Sequence, residues 1–345
     1  MKSAALVSVV TPFYNTREYL CECIESVLGQ TYENLEYVLV DNCSTDGSTE
    51  IAERYAARFP DKLRLVRTER FLSQVQNYNL ALTCISPDSQ YCKMVQADDW
   101  LFPDCIRSMV ELAETHPSVG IVAAYQIEGA EVGLDGLPYP SSMVPGRQVG
   151  RLCFLQGTYL FGTPTSVLMR SQIIRSRVPF FDERHAPFED GHACFDILKA
   201  WDFGFVHQIL TYSRRHGGGM SSRLTRYGAN FFVHLSWLVA HGKDYLSEEE
   251  FDRCTRLAER EYFVHLTKSA CGLCPETREF WEFHRKALAS IGYSFDWKRL
   301  ARSLPRAIVE MAWDAFWRRW DKNSRPTPSV RKAAEGGHPR TSRSC

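Results

Sequence analysis

Over the first 125 residues, short apolar and β-branched runs alternate with segments whose apolar residues recur at helical spacing. Strands are expected at 6–11, 37–40, 63–67, 91–95 and 119–124. Between them, helices are expected at 17–30 (Leu20, Ile24, Val27 and Leu28 on one face), at 48–59 and at 73–84. Asp46 or Ser48 caps the second of these. A further helix opens at Pro103 and ends near His116 and Pro117. The strand runs do not alternate polar with apolar, so both of their faces are buried. Strand–helix alternation with such strands predicts an α/β fold around a parallel, doubly wound sheet.

Residues 125–150 are rich in Gly and Pro and lack periodicity, which reads as a long surface loop of the kind that usually carries function. Mixed structure returns over 151–216, and 223–320 reads as helical. From Lys322 the chain is polar, basic and poor in apolar residues, which predicts a disordered tail. The expected organisation is a catalytic α/β domain over 1–222, a helical C-terminal extension over 223–321 and a tail over 322–345. With Lys+Arg and Asp+Glu both 41, a basic nucleic-acid footprint over the whole chain is excluded. No apolar run reaches roughly 18 residues, so no membrane span is expected. The first residues do not read as a signal peptide. Twelve scattered cysteines, only Cys271 and Cys274 forming a CxxC, read as thiols in a reducing cytoplasm rather than a disulfide scaffold; a lone CxxC is weak as a zinc site.

In an open α/β sheet, ligands bind beyond the carboxyl ends of the strands. Those ends carry Pro12, Tyr14 and Asn15 after the first strand, Asp41 to Ser48 after the second, and Gln96, Asp98 and Asp99 after the fourth. A single Asp in such a place is commonly a turn or cap residue. Three acidic or amide-bearing ends on one edge point to a site. The Asp98–Asp99 pair calls for a compensating charge, and a divalent cation, Mg²⁺ or Mn²⁺, supplies it together with substrate phosphates. A nucleoside diphosphate fits that description. Neither GxGxxG after the first strand nor GxxxxGK[ST] anywhere is present, which argues against dinucleotide-binding and P-loop folds.

The run from Val7 to Asn15, the run from Ser26 to Tyr32 and the run from Val40 to Ser48 together resemble the family 2 glycosyltransferases. Asp98, Asp99 and Trp100 followed by Pro103 match that family's metal-binding region, and Phe188, Glu189 and Asp190 its Glu-Asp motif. The resemblance covers about residues 6–216. It implies a GT-A fold, a Rossmann-like and mostly parallel sheet flanked by helices, and inverting transfer from a nucleotide sugar, a UDP-sugar first among them, to a glycan or lipid-linked acceptor. By motif match, Pro12, Tyr14 and Asn15 lie near the nucleotide, Asp41 accepts from the base ring, Asp98 meets the ribose or the sugar, and Asp99 holds the metal. Two departures stand out: Gln96 where many members have Asp, and Gln76 where the family has Arg. Gln76 and Asn77 either contact the base or serve helix packing. The departures motivate an alternative reading, a catalytically silent nucleotide-sugar-binding protein. A nucleotidyltransferase is disfavoured by the absence of a Gly-rich, Lys-bearing loop after the first strand.

Transfer needs a base, and Asp190, beginning a helix, is the candidate, with Glu189 as a sugar-binding partner. The turn 163–166 meets a sugar or simply leads into a strand at 167–170. The run Arg214, Arg215, His216, Gly217, Gly218, Gly219 reads as a mobile loop closing on diphosphate, with Arg215 on phosphate and His216 near the metal, or as an exposed basic turn. Trp313, Phe316, Trp317 and Trp320 form one helical stripe, flanked by Arg318 and Arg319. It serves either peripheral membrane contact or packing onto the catalytic domain, and Leu300, Leu304, Ile308 and Met311 are expected to be buried on another face. The expected location is cytoplasmic, at a membrane if the stripe binds one.

Overall fold

The computed structural model describes residues 4–217, 220–273 and 277–324. Its chain forms two compact units, one of Met1–Arg226 with Ser236–Cys254 and one of Tyr227–Leu235 with Thr255–Cys345. The expected division at 222 is thus drawn differently, because Ser236–Cys254 belongs with the first unit.

The first unit runs β1 (Val7–Phe13), α1 (Leu20–Leu28), β2 (Leu35–Asp41), α2 (Ser48–Arg58), β3 (Leu63–Arg67), α3 (Gln74–Thr83), β4 (Tyr91–Met94), β5 (Trp100–Leu101) and α4 (Cys105–Thr115). It continues with β6 (Val119–Glu128), β7 (Glu131–Gly133), β8 (Met143–Val144), α5 (Gly146–Gln156), β9 (Leu168–Arg170), α6 (Ser171–Arg175), α7 (Glu189–Leu198), β10 (Asp202–Ser213) and α8 (Met220–Arg226). The sheet order is β3-β2-β1-β4-β9-β6-β10-β5. β1 pairs in parallel with both β2 and β4, β2 with β3, and β6 with β10, whereas β9 lies antiparallel between β4 and β6. β1 is buried along its whole length, as a strand covered on both faces must be. Leu20, Cys23, Ile24 and Val27 of α1 close one of those faces. Because chain order reverses at β1, a crevice opens where β1 and β4 end.

The stretch 125–150 is not one loop. β6 continues to Glu128, turns at Gly129 (φ 64°) and pairs with β7, while β8 pairs with β10 and α5 begins at Gly146. Strands of two or three residues are held by backbone hydrogen bonds and are too short to show a period.

The second unit is helical. α9 (Ala229–Tyr245) and α10 (Glu248–Lys268) contribute to both units, and α11 (Arg278–Ser290) and α12 (Trp297–Ser324) complete the second. Its core holds Tyr262, Leu266, His284, Leu288 and Leu300. His284 Nε2 lies 2.9 Å from the Tyr227 carbonyl, which can only accept, so Nδ1 accepts from the Tyr262 hydroxyl at 2.7 Å. Burial pushes the His284 pKa down to about 4, which fits this neutral tautomer. Of the face expected to be buried on α12, Leu300 is buried but Leu304 and Ile308 are exposed, as is Trp313. The side chains of Phe316, Trp317 and Trp320 lie outside the described residues, as do Cys274 and positions 325–345; α12 extends past the expected tail start at Lys322. Among the described residues no helix is long and apolar enough to cross a membrane.

α5 begins hard against the end of α7, the helix that carries Glu189 and Asp190. A Cβ on Gly146 would stand 2.0 Å from the Trp201 carbonyl oxygen and 2.4 Å from that of Leu198. Both are backbone atoms that cannot swing aside. Gly146→Ala is expected to cost about 1–3 kcal/mol by overpacking, read as a lower melting temperature in calorimetry; an unchanged melting temperature would refute the contact.

Candidate active site

The end of β1 turns outward at Asn15, whose φ of 51° is left-handed. Its side chain and backbone hold that turn: Oδ1 accepts from the Thr45 amide at 2.8 Å, and the Asn15 backbone N–H donates to Ser44 Oγ at 3.0 Å. Just before it, Pro12 is buried in β1 opposite Val40, and Tyr14 is 44% exposed. Phe71, 60% exposed, meets the Tyr14 ring edge-on at 4.8 Å. Two exposed aromatics at a strand end form a platform for a flat ligand. Phe71 is held there through its neighbour. Asn42 Nδ2 donates to the Leu72 carbonyl at 2.9 Å, and Asn42 Oδ1 accepts from the Leu72 amide at 2.8 Å. Asp41 is buried, and its two oxygens accept from the Ser44 amide at 2.9 Å and the Thr49 hydroxyl at 2.6 Å. It therefore fixes the turn into α2, and any bond to a base would have to use its remaining lone pairs.

At the end of β4 the acid pair divides. Asp99 is only 3% exposed; Oδ1 accepts from the Arg214 amide at 2.9 Å and Oδ2 from the Thr165 hydroxyl at 2.7 Å. Burial, reinforced by the Asp98 charge, raises its pKa. Asp98 instead keeps an open face, with Oδ2 3.1 Å from His216 Nε2. The carboxylate turned toward solvent is thus Asp98, while Asp99, which the motif match makes the metal ligand, faces inward with both oxygens engaged. Arg214 crosses between them: Nε donates to the Asp98 carbonyl at 3.0 Å, Nη2 pairs with Glu22, and the guanidinium lies 4.7 Å from the Tyr19 ring centroid. Arg215 turns to Glu128 at 3.0 Å. Gly218 and Gly219 lie outside the described residues. Beneath the pair, the buried Lys93 ammonium donates to the Thr165 and Val167 carbonyls and so pins the turn that reaches Asp99. Sequence reading missed Lys93 because it lies inside an otherwise apolar strand.

The other acids begin α7. Glu189 is buried, and Oε2 has no hydrogen-bond partner. Asp190 is partly buried beside a small cavity lined by Tyr159, Phe161, Pro164, Phe181 and Cys194. Burial raises both pKa values, and for Glu189 the Asp190 charge adds to the effect. Tyr78 links the two acid pairs: its hydroxyl accepts from Gln74 at 2.7 Å and Gln96 at 3.0 Å, and burial, with Glu189 and Asp98 nearby, pushes its pKa up. Gln96 is therefore held by a neutral partner. Gln76 completes a capping box with Ser73 and donates to Glu183 at 3.1 Å, whereas Asn77 is buried with an unpartnered Oδ1. Among the described residues no three His, Cys, Asp or Glu side chains enclose a metal site by themselves.

The profile described as Glycosyl transferase family 2 matches residues 8–177. Glycosyltransferase GlyG of Streptococcus pneumoniae is 32% identical over 242 residues, 67% of this chain and 78% of that protein. Among solved structures, residues 1–349 of S. aureus TarS in complex with UDP-GlcNAc superpose with a TM-score of 0.58 at 18% identity, covering 83% of this chain and 81% of that one. The mannosyltransferase PcManGT from Pyrobaculum calidifontis in complex with GDP-Man and Mn²⁺ superposes with a TM-score of 0.53 at 16% identity, covering 89% and 87%. The chain belongs to the family 2 glycosyltransferases and has the GT-A fold.

The Asn42 amide serves one backbone segment with both of its groups. Asn42→Ala leaves the Leu72 amide and carbonyl without their partner, at an expected cost of about 1–3 kcal/mol. Proteolysis between residues 68 and 73 should quicken in the variant; unchanged cleavage and melting would show that the clamp holds nothing.

Proposed function

We propose that this enzyme is an inverting transferase that moves a sugar from a nucleoside-diphosphate sugar to a hydroxyl of a glycan or lipid-linked acceptor in polysaccharide or glycan synthesis. The observation that carries this reading is Asp190: an acid of raised pKa at a helix start, beside a cavity, with no ion-pair partner among the described residues. Such a group takes the proton of the acceptor hydroxyl as its oxygen bonds to the anomeric carbon and the diphosphate leaves from the opposite side. Tyr14 and Phe71 suit the base of the nucleotide. The nucleotide sugars bound by TarS and PcManGT support the donor class at the level of the fold, and a UDP-sugar is the first to test. The buried thiols of Cys23, Cys92, Cys105, Cys153, Cys194 and Cys254 suit a reducing, cytoplasmic setting.

Asp98 and His216 would hold a divalent cation, Mn²⁺ or Mg²⁺, with the help of oxygens supplied by a bound diphosphate. When bound, that cation offsets the charge growing on the leaving diphosphate. Arg214 stiffens this corner through the Asp98 carbonyl, and Asp99 holds the strand end from within. In the second unit, Val309 and Trp313 are exposed on one face of α12, and helical spacing puts the exposed Lys298 and Arg302 on the same face. We assign this face to peripheral contact with an anionic lipid surface.

Asp190→Asn keeps the shape and removes the proton acceptor, so turnover should fall by roughly 10²–10⁴-fold while donor binding by calorimetry stays unchanged. Near-normal turnover would make Asp190 a helix cap only. Because the active base is the ionised form and its pKa is raised, the wild-type rate should rise with pH and be lost on acidification above about pH 4, the ordinary aspartate range. A rate flat down to that pH would contradict the assignment.

Asp98→Asn should weaken nucleoside diphosphate binding in Mn²⁺ and change little in chelator; equal loss in both would remove the cation from the site.

Vesicles containing phosphatidylglycerol should sediment the protein, and Val309→Glu should abolish this without changing turnover on a soluble acceptor. Equal sedimentation of wild type and variant would move the contact elsewhere.

A further inference from the structure

Two residues beyond Asp190, His192 is 3% exposed and bonded at both ring nitrogens. Nδ1 lies 2.9 Å from His241 Nε2, and Nε2 lies 3.1 Å from Ser236 Oγ. His241, itself buried, has Nδ1 3.5 Å from Asp196 Oδ1. At that separation His241 Nδ1 makes no hydrogen bond, so the ties between α7 and α9 here are the two bonds of His192, whose neutral ring donates from one nitrogen and accepts at the other. Burial pushes the pKa of His192 down to about 3 and that of His241 to about 4, so both rings are neutral. The charged or titratable groups facing them are His185, whose ring stacks on His192 at 3.7 Å, with Asp182, Asp196, Lys199 and Asp244.

The same stretch of α9 grips the residue between. A Cβ on Gly191 would stand 2.4 Å from the Trp237 ring, so the indole lies directly on the turn that follows Asp190. Trp237 stacks in turn on Tyr159 at 5.0 Å, and Tyr159 lines the cavity beside Asp190. Ser236, Trp237 and His241 thus hold the first turn of α7 by two independent contacts.

We propose that His192 is a positioning residue for transfer: held between Ser236 and His241, it fixes the first turn of α7 and with it the direction in which Asp190 presents its carboxylate to the acceptor hydroxyl. The proposal rests on Asp190 as the base.

His192→Phe keeps a ring and removes both bonds, and Ser236→Ala removes one bond with little change in packing. Turnover should fall by roughly 10- to 100-fold in the first, as expected for a misplaced catalytic group, and less in the second, with donor KM unchanged in both. In the Asp190→Asn background neither change should lower turnover further. Equal fold-losses in both backgrounds, a change in donor KM at constant kcat, or a loss of melting temperature at constant kcat would overturn the proposal. Where His192→Phe fails to fold, Ser236→Ala decides by the same readings. Full turnover in Asp190→Asn alone would overturn the base assignment first, and this proposal with it.

Discussion

One carboxylate turned away from water organises the mouth of the sheet. Asp99 accepts from the Thr165 hydroxyl and from the Arg214 amide, so the end of β4, the turn before β9 and the end of β10 meet on a single side chain. Burying it beside Asp98 is unfavourable for the charged form, as its raised pKa reports. The buried Lys93 ammonium lies under the same turn and offsets part of that cost. With Asp99 held inside, Asp98 is left facing outward with His216, and Arg214 is drawn across the rim. The polar edge of the cleft follows from this inward turn.

The second acid pair, Glu189 and Asp190, is also drawn out of water, at the start of α7, and its raised pKa values follow from that burial. Tyr78 stands between the two pairs and accepts from Gln96. An aspartate at position 96 would add a further negative charge beside Asp98, Asp99 and Glu189. A glutamine gives the tyrosine a neutral donor instead. The departure at this position is therefore compatible with a working cleft.

Much of the fold was legible because its causes are local. The central strands β1, β2 and β4 are buried runs, α1 shows its stripe in Leu20, Ile24 and Val27, and the helix expected at 73–84 is α3. The short strands β7 and β8 were not, since they exist only by pairing with β6 and β10. Motif spacing placed Asp98 and Asp99 just beyond the end of β4 but could not tell which acid of a consecutive pair faces inward. Asp98 and Asp99 differ only in which side of the turn each occupies. Phe71, Lys93 and His192 were missed for a related reason. Each acts through a partner far along the chain, Phe71 on Tyr14, Lys93 on Thr165, and His192 on Ser236 and His241, and no sequence period records such meetings. On α12, a stripe drawn from spacing alone placed Leu304 and Ile308 inside with Leu300, whereas both are exposed.

A single base acting opposite the leaving diphosphate has one stereochemical consequence. The anomeric configuration of the first product formed from a nucleotide sugar can be read by proton NMR, from the coupling of the anomeric hydrogen, before any mutarotation. Inversion relative to the donor is the expected result. Retention would contradict direct displacement assisted by Asp190 and would require a different arrangement of the chemistry in this cleft.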